Sequence, residues 1–268
     1  MALTTSSYDV RDFFGRSTRR AATEFEGWWH NKQRKRVVPV VMKHRTSLPY
    51  LLTPDDIRES CESSSHALRG IKFDSIRKVQ DAHNWSPDFS FSHLFHFLME
   101  NIGRLPTWND FAGFYYSSGC DFLGREREER YRQLLQEGFS DEVATDALDW
   151  RIGLAYYGIV RDIFTVVQLR ARGIDVRCHP LADTLFRVDA WVGRTIVNLR
   201  VNNPRYRDFA GGRKLPPEEL YEGSEPGFRY EYIALDAADK FGVVHLPKES
   251  DVDDLVEKLQ RENDDFRV

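Results

Sequence analysis

The sequence predicts an α+β or α/β protein: a mainly helical region over residues 1–145, then a mixed-sheet α/β part over residues 146–268. Three observations point there. Up to Arg172, apolar residues recur at helical spacing between residues that cap helices. After Gly173 the pattern turns to short β-branched and aromatic runs separated by Gly, Pro and Asn. Within it, Phe186–Val201, FRVDAWVGRTIVNLRV, alternates apolar and polar residues around a glycine, as a hairpin does.

The chain has 268 residues, 41% of them hydrophobic, enough to bury a core in one large domain or two ordinary ones. No uninterrupted run of about 18 apolar residues occurs, so no membrane span is expected. The first twenty residues lack the apolar stretch of a secretory signal. Cys61, Cys120 and Cys178 lie far apart, which argues against a zinc ribbon or disulfide framework and for a reducing, cytoplasmic setting. The net charge of -4 is unevenly laid out. Arg11–Arg45 holds ten Lys/Arg against three Asp/Glu, and Glu249–Val268 holds eight acids against three bases. Such segments are either partner surfaces or solvated faces.

Taken in order, Tyr8–Asn31 reads as a helix anchored by Phe13, Phe14, Phe25, Trp28 and Trp29. The basic run Lys32–Arg36 follows, then a strand candidate at Val37–Met42. Thr53-Pro54-Asp55-Asp56 is a helix start, because Thr caps and Pro suits the first turn, so a helix is expected over 55–66. Further helices are expected over 89–102, 109–116 and 125–136. Gly138 ends the last of these, and Ser140 caps a long helix reaching Arg172 through Gly153 and Gly158. Strand candidates are Ile174–Cys178, the hairpin, Phe228–Leu235 and Gly242–Leu246. Asn202–Gly227 reads as a loop with a short helix at Pro217–Leu220, and Ser250 caps a terminal helix over 251–262.

The hairpin carries the chemistry. Gly193-Arg194 suits a type II′ turn, which pairs Val192/Thr195, Trp191/Ile196, Ala190/Val197, Asp189/Asn198, Val188/Leu199 and Arg187/Arg200. One face is then apolar: Val188, Ala190, Val192, Val197, Leu199 and Val201. The other gathers a carboxylate, an amide and two guanidiniums, Asp189, Asn198, Arg187 and Arg200. The same four residues also fit ordinary cross-strand ion pairs on an exposed sheet face.

The order from Asp146 onward, long helix, strand, hairpin, connection, strand, resembles the core of the PD-(D/E)XK phosphodiesterase superfamily, the restriction-endonuclease-like fold. The resemblance covers about the last 120 residues and rests mainly on the hairpin. It implies an acid on the first core helix, here Asp162, an Asp on the second strand, here Asp189, and a Glu-x-Lys pair on the third, here Asn198-Leu199-Arg200. In such enzymes carboxylates hold Mg²⁺ and a neighbouring cation polarises water or phosphate.

This chain departs at that pair. Asn198 brings no charge, and Arg200 stays protonated, so it clamps phosphate but is no general base. The favoured expectation is therefore a DNA-interacting protein with a degenerate, inactive nuclease-like domain and no cofactor. The resemblance links such domains to restriction, phage-defence or mobile-element systems, with protein partners in a multi-subunit assembly. One alternative is an active Mg²⁺-dependent endonuclease using Asp162, Asp189 and a migrated carboxylate such as Asp183 or Glu231. Another is a protein–protein adaptor docked through its aromatic N-terminal helix and acidic tail.

Phosphate contacts are expected from Arg187, Arg200, Arg205, Arg207, Arg213 and Lys214, with Tyr206 able to stack on a base. Lys32, Arg34, Lys35 and Arg36 are the second candidate set. His93, His96 and Glu100 share a helix face, yet the apolar residues around them favour a packed helix over zinc. Walker, dinucleotide-binding and nucleophile-elbow motifs are absent from the sequence.

Overall fold

The computed structural model describes residues 3–68, 70–116, 121–201, 216–235, 239–241 and 244–265. A short strand β1 (Thr5–Ser6) enters helix α1 (Ser7–Val10) and a wide turn at Arg11–Gly15. Then come α2 (Arg19–Trp29), α3 (Val38–Lys43), β2 (Arg45–Thr46), α4 (Pro54–Ser63), α5 (Phe73–Ile76) and α6 (Gln80–His83). Helices α7 (Phe91–Ile102), α8 (Trp108–Tyr116), α9 (Asp121–Gln136) and α10 (Asp141–Ala171) follow. Helix α11 (Pro180–Phe186) leads to strands β3 (Ala190–Val192) and β4 (Thr195–Val201). Short helix α12 (Pro217–Leu220), strands β5 (Arg229–Leu235), β6 (Asp239–Phe241) and β7 (Val244–Leu246), and helix α13 (Glu249–Asp265) complete the chain. The fold is mixed α+β, helix-rich with small sheets.

Several helices start where their caps predict. Thr53 accepts from the Asp56 amide while Asp56 returns a bond to the Thr53 amide, a capping box ahead of Pro54. Ser140 caps α10 as expected, and α7 starts at Phe91, two residues after the expected 89, behind a Ser90 cap. Gly103 and Gly138 take positive φ behind α7 and α9, the conformation that a side chain would strain.

α10 runs unbroken for 31 residues, so the 145/146 division lies inside one helix. It is buried nearly all round rather than on one stripe. By length and composition it could cross a membrane, and 72% of that apolar window is buried inside the molecule. Its first half packs Ala144, Ala147, Leu148 and Trp150 against Ile76, Val79 and Leu134. Its second half joins a larger core reaching from Val10 to Leu259.

Two expectations at the N-terminus need correction. The single helix over 8–31 is interrupted, because Thr18 is extended (φ -142°) and caps α2 through the Ala21 amide. The expected strand at Val37–Met42 is helix α3. Pro39 sits in its first turn, and Val38, Val41 and Met42 are buried at helical spacing, so burial overrides the β preference of valine. The aromatic anchors face inward: Phe14, Phe25 and Trp28 are buried, and Phe14 packs on Phe186, Trp191 and Phe228 at 5.1–6.1 Å between ring centroids. The acidic terminal helix α13 is also an internal element. It buries Val252, Leu255 and Leu259 and pairs Asp253 with Arg172 at 2.5 Å.

The main sheet has the order β3-β4-β5. β3 and β4 are antiparallel in the predicted register, Ala190/Val197, Trp191/Ile196 and Val192/Thr195. Gly193 has φ 54°, whereas Arg194 is not left-handed, as a type II′ turn requires. The expected strand at Ile174–Cys178 reduces to one bridge, Arg177 with Trp191. β5 pairs parallel to β4, from Thr195/Arg229 to Val201/Leu235.

Candidate functional site

The hairpin ladder ends one pair short of the polar cluster. Phe186 closes α11, and Arg187 takes the left-handed conformation (φ 61°) behind it. The Arg187 amide donates to the Asp183 carbonyl at 3.2 Å, and the Val188 amide to the Ala182 carbonyl at 3.1 Å. These bonds turn the chain out of a helix and into β3, so the expected pairs Arg187/Arg200 and Val188/Leu199 do not form. Helix α11 escaped the sequence reading, although His179-Pro180 is a start signal. The His179 Nδ1 accepts from the Leu181 amide at 3.0 Å, and Pro180 takes the first turn.

Asp189 and Asn198 replace the missing pair with side-chain bonds. Asn198 Oδ1 accepts from the Asp189 amide at 2.9 Å, and its Nδ2 donates to the Arg187 carbonyl at 2.8 Å. Asp189 Oδ2 accepts from the Leu199 amide at 2.8 Å. Asn198 is thus a backbone clamp with both ends of its amide occupied.

Three carboxylates from three elements lie within electrostatic reach of one another: Asp162 of α10, Asp183 of α11, and Asp189 ahead of β3. Burial and the charges of Asp189 and Asp183 push the Asp162 carboxyl well above the usual carboxylate range. Burial, then the charge of Asp183, pushes Asp189 up to about 7, against the Leu199 amide that favours its ionised form. The charge of Asp189 reaches Asp162, and that of Asp183 reaches both. Glu231 pairs instead with Lys258 of α13 at 3.6 Å.

The donor chemistry, hard carboxylate oxygens, suits Mg²⁺, but the arrangement does not. Among the described residues no group of three or more His, Cys, Asp or Glu side chains is set to hold a metal ion. One oxygen of Asp189 is committed to the Leu199 amide, and the raised carboxyls favour protons as the neutralising charge.

The cations divide. Arg187 is part-buried, its Nη1 donating to the Leu185 carbonyl at 3.4 Å and its Nε buried without a partner. Arg200 is exposed and engaged elsewhere, its guanidinium 3.4 Å from the Tyr232 ring centroid and 3.6 Å from Glu218 Oε1. The Tyr232 hydroxyl also bonds Glu218. Glu218 and Tyr232 were missed from sequence, because Tyr232 reaches this place only through the parallel pair Asn198/Tyr232. Arg187 and Arg200 therefore do not converge on one spot as the extended register implied.

Arg205, Arg207, Arg213 and Lys214 lie outside the described residues. In the N-terminal set, Lys32, Lys35 and Arg36 are exposed, while Arg34 pairs with Asp88 at 2.7 Å. Arg36 lines a surface cavity of about 790 Å³ shared with Arg125 and Arg130 but also with Asp81, Asp88, Glu126 and Glu129. Its mixed charge makes this cleft a poor phosphate track. Comparison with known proteins finds no matching family model, no matching curated protein and no matching solved structure.

Proposed function

We propose that this chain is a DNA-interacting protein whose C-terminal part is a degenerate, non-cleaving relative of restriction-endonuclease-like domains. The observation that carries the reading is one of topology and placement together. A long helix places Asp162 within electrostatic reach of Asp189 beside an antiparallel hairpin, and the next strand, β5, adds parallel to the hairpin's outer strand. The PD-(D/E)XK resemblance implies a strand between the long helix and the hairpin, where this chain has one bridge and helix α11, so the hairpin and the strand parallel to it are what support the reading. The non-cleaving character is supported by Asn198 serving as a clamp, by Arg200 in place of a titratable lysine, and by carboxyls that favour protons. With the Asp162 carboxyl raised and Asp189 pushed up to about 7, the negative charge beside the hairpin is reduced, and Arg187 and Arg194 keep its flank attractive to phosphate. The roles in restriction, phage defence or mobile elements come from that resemblance alone.

The charge of Asp183 acting on both Asp162 and Asp189 leaves a second reading to be tested, an active Mg²⁺-dependent endonuclease. Two measurements separate them. Duplex and single-stranded DNA are titrated from low to high salt, and supercoiled plasmid is incubated with Mg²⁺ or Mn²⁺ beside Asp189→Ala. Salt-steep binding without nicking is expected; each phosphate contact adds about 0.9 to the slope of log affinity against log salt. Metal-dependent nicking lost in Asp189→Ala would replace the first reading by the second. No binding at low salt would remove both and leave the adaptor.

A further inference from the structure

We propose that His44, His93, His96 and His179 form a proton-operated latch joining the helical part of the chain to α11 and its hairpin, closed while all four rings are neutral. The proposal is independent of the DNA-binding reading. The four rings come from three places: His44 follows α3, His93 and His96 share one face of α7, and His179 caps α11. The His44 ring centroid lies 5.3 Å from His179 and 6.1 Å from His96, both edge to face. His93 and His96 are each 4% exposed and His179 is 1% exposed, so protons cannot reach these three without movement.

Hydrogen bonds fix part of the proton pattern. His179 Nδ1 accepts from the Leu181 amide, so its proton sits on Nε2, which lies 3.4 Å from the Ser7 hydroxyl of α1. His93 Nδ1 meets the Ser90 hydroxyl at 2.7 Å, and His44 Nε2 meets that of Thr46 at 3.3 Å. His93 Nε2 and His96 Nδ1 are buried with no hydrogen-bond partner. Imidazole nitrogens of this kind take either a metal or a proton. No group of three or more ligating side chains among the described residues is set to hold a metal ion, and both His179 nitrogens are engaged. The proton is the ligand left.

The surroundings offer little to hold a positive charge. Glu100 of α7 is the carboxylate acting on His44, and its oxygens already accept from the Ser47 amide and hydroxyl and the Leu48 amide. Lys43 and Arg45, next to His44 in sequence, are exposed. Asp9 of α1 is spent capping that helix through Ser6, and Asp183 of α11 acts on Asp162 and Asp189. Burial holds the neighbouring Tyr50 hydroxyl and Cys178 thiol neutral. Burial likewise lowers the His44 ring to about 4 and the other three well below the ordinary value. The rings therefore take up protons only where α7, α11 and the His44 segment separate. Each ring freed by opening favours the open form about tenfold per pH unit below its ordinary pKa of about 6.5, so four give up to about 10⁴-fold.

Amide hydrogen exchange of the full chain between pH 7.5 and pH 5.0, corrected for the intrinsic rate, tests this. Exchange over residues 44–50 and 178–190 is expected to rise by at least about 100-fold relative to residues 141–150 of α10. His96→Gln should flatten that rise by about tenfold per pH unit. His30→Gln, at an exposed histidine paired with Glu26, should leave it intact. A wild-type rise no larger than in α10 would overturn the proposal whatever the variants do. So would protection of the same segments at pH 7.5 by stoichiometric Zn²⁺, which would make the cluster a metal site.

Discussion

Asp189 and Asn198 hold the open end of the hairpin by exchanging side-chain bonds for the ladder bonds that stop at Ala190/Val197. Removing the Asn198 amide strips the Asp189 amide and the Arg187 carbonyl of their partners. Asn198→Ala is expected to cost about 1–3 kcal/mol, read as the shift of a urea unfolding midpoint at constant slope. Asn198→Asp should cost as much, because its second oxygen would face the Arg187 carbonyl. A variant as stable as the parent would show that the clamp adds nothing.

The carboxylate cluster makes stability fall with rising pH. Asp162 and Asp189 have raised values in the folded chain, so below about pH 4 both states hold the protons. From there to about pH 7 the unfolded chain has lost protons that the folded chain retains, and the folded state weakens as pH climbs. Asp162→Asn removes that demand. It is expected to raise the melting temperature at pH 8 by several degrees and to leave it nearly unchanged at pH 4. Equal effects at both values would mean that Asp162 ionises freely in the folded protein.

Arg187 is the one non-glycine residue with positive φ among the described residues. The left-handed region costs a side-chain-bearing residue about 1–2 kcal/mol, which glycine avoids. Arg187→Gly is expected to keep or raise stability while weakening DNA binding and lowering its salt slope by about 1. Unaltered binding would take Arg187 out of the phosphate-contacting set.

Two glycines of α10 should respond with opposite sign. A Cβ at Gly158 meets nothing within 4 Å, so Gly158→Ala should gain up to about 1 kcal/mol of helix propensity. A Cβ at Gly153 would lie 2.5 Å from Leu68 Cδ2 and 3.3 Å from the Ala67 Cβ and carbonyl. Gly153→Ala should therefore melt below Gly158→Ala by about 2–4 °C per kcal/mol of difference. The same melting temperature for both would mean that the Ala67-Leu68 segment yields freely.

The chain's own neighbours marked some caps and turns, though not Thr18 or His179-Pro180, and α13 starts at Glu249, ahead of the expected Ser250 cap. Thr53 with Asp56, Ser90, Ser140 and the Gly193-Arg194 turn all act within about four residues, so local pattern determined the starts of α4, α7 and α10 and the register of β3 with β4. Tertiary structure decided whatever depended on distant partners. It made the valine-rich run at 38–43 a helix, because three of its apolar side chains found the core at helical spacing. It set β5 parallel to β4 across a long connection, which brought Tyr232 and Glu218 to Arg200 and kept Arg200 from Asp189. It gathered Asp162, Asp183 and Asp189, and His44, His93, His96 and His179, from segments up to 135 residues apart (179 minus 44). Hydrogen bonds between near neighbours are written in the residues that make them; clusters closed by burial depend on how whole helices pack, and no short stretch of sequence carries that information.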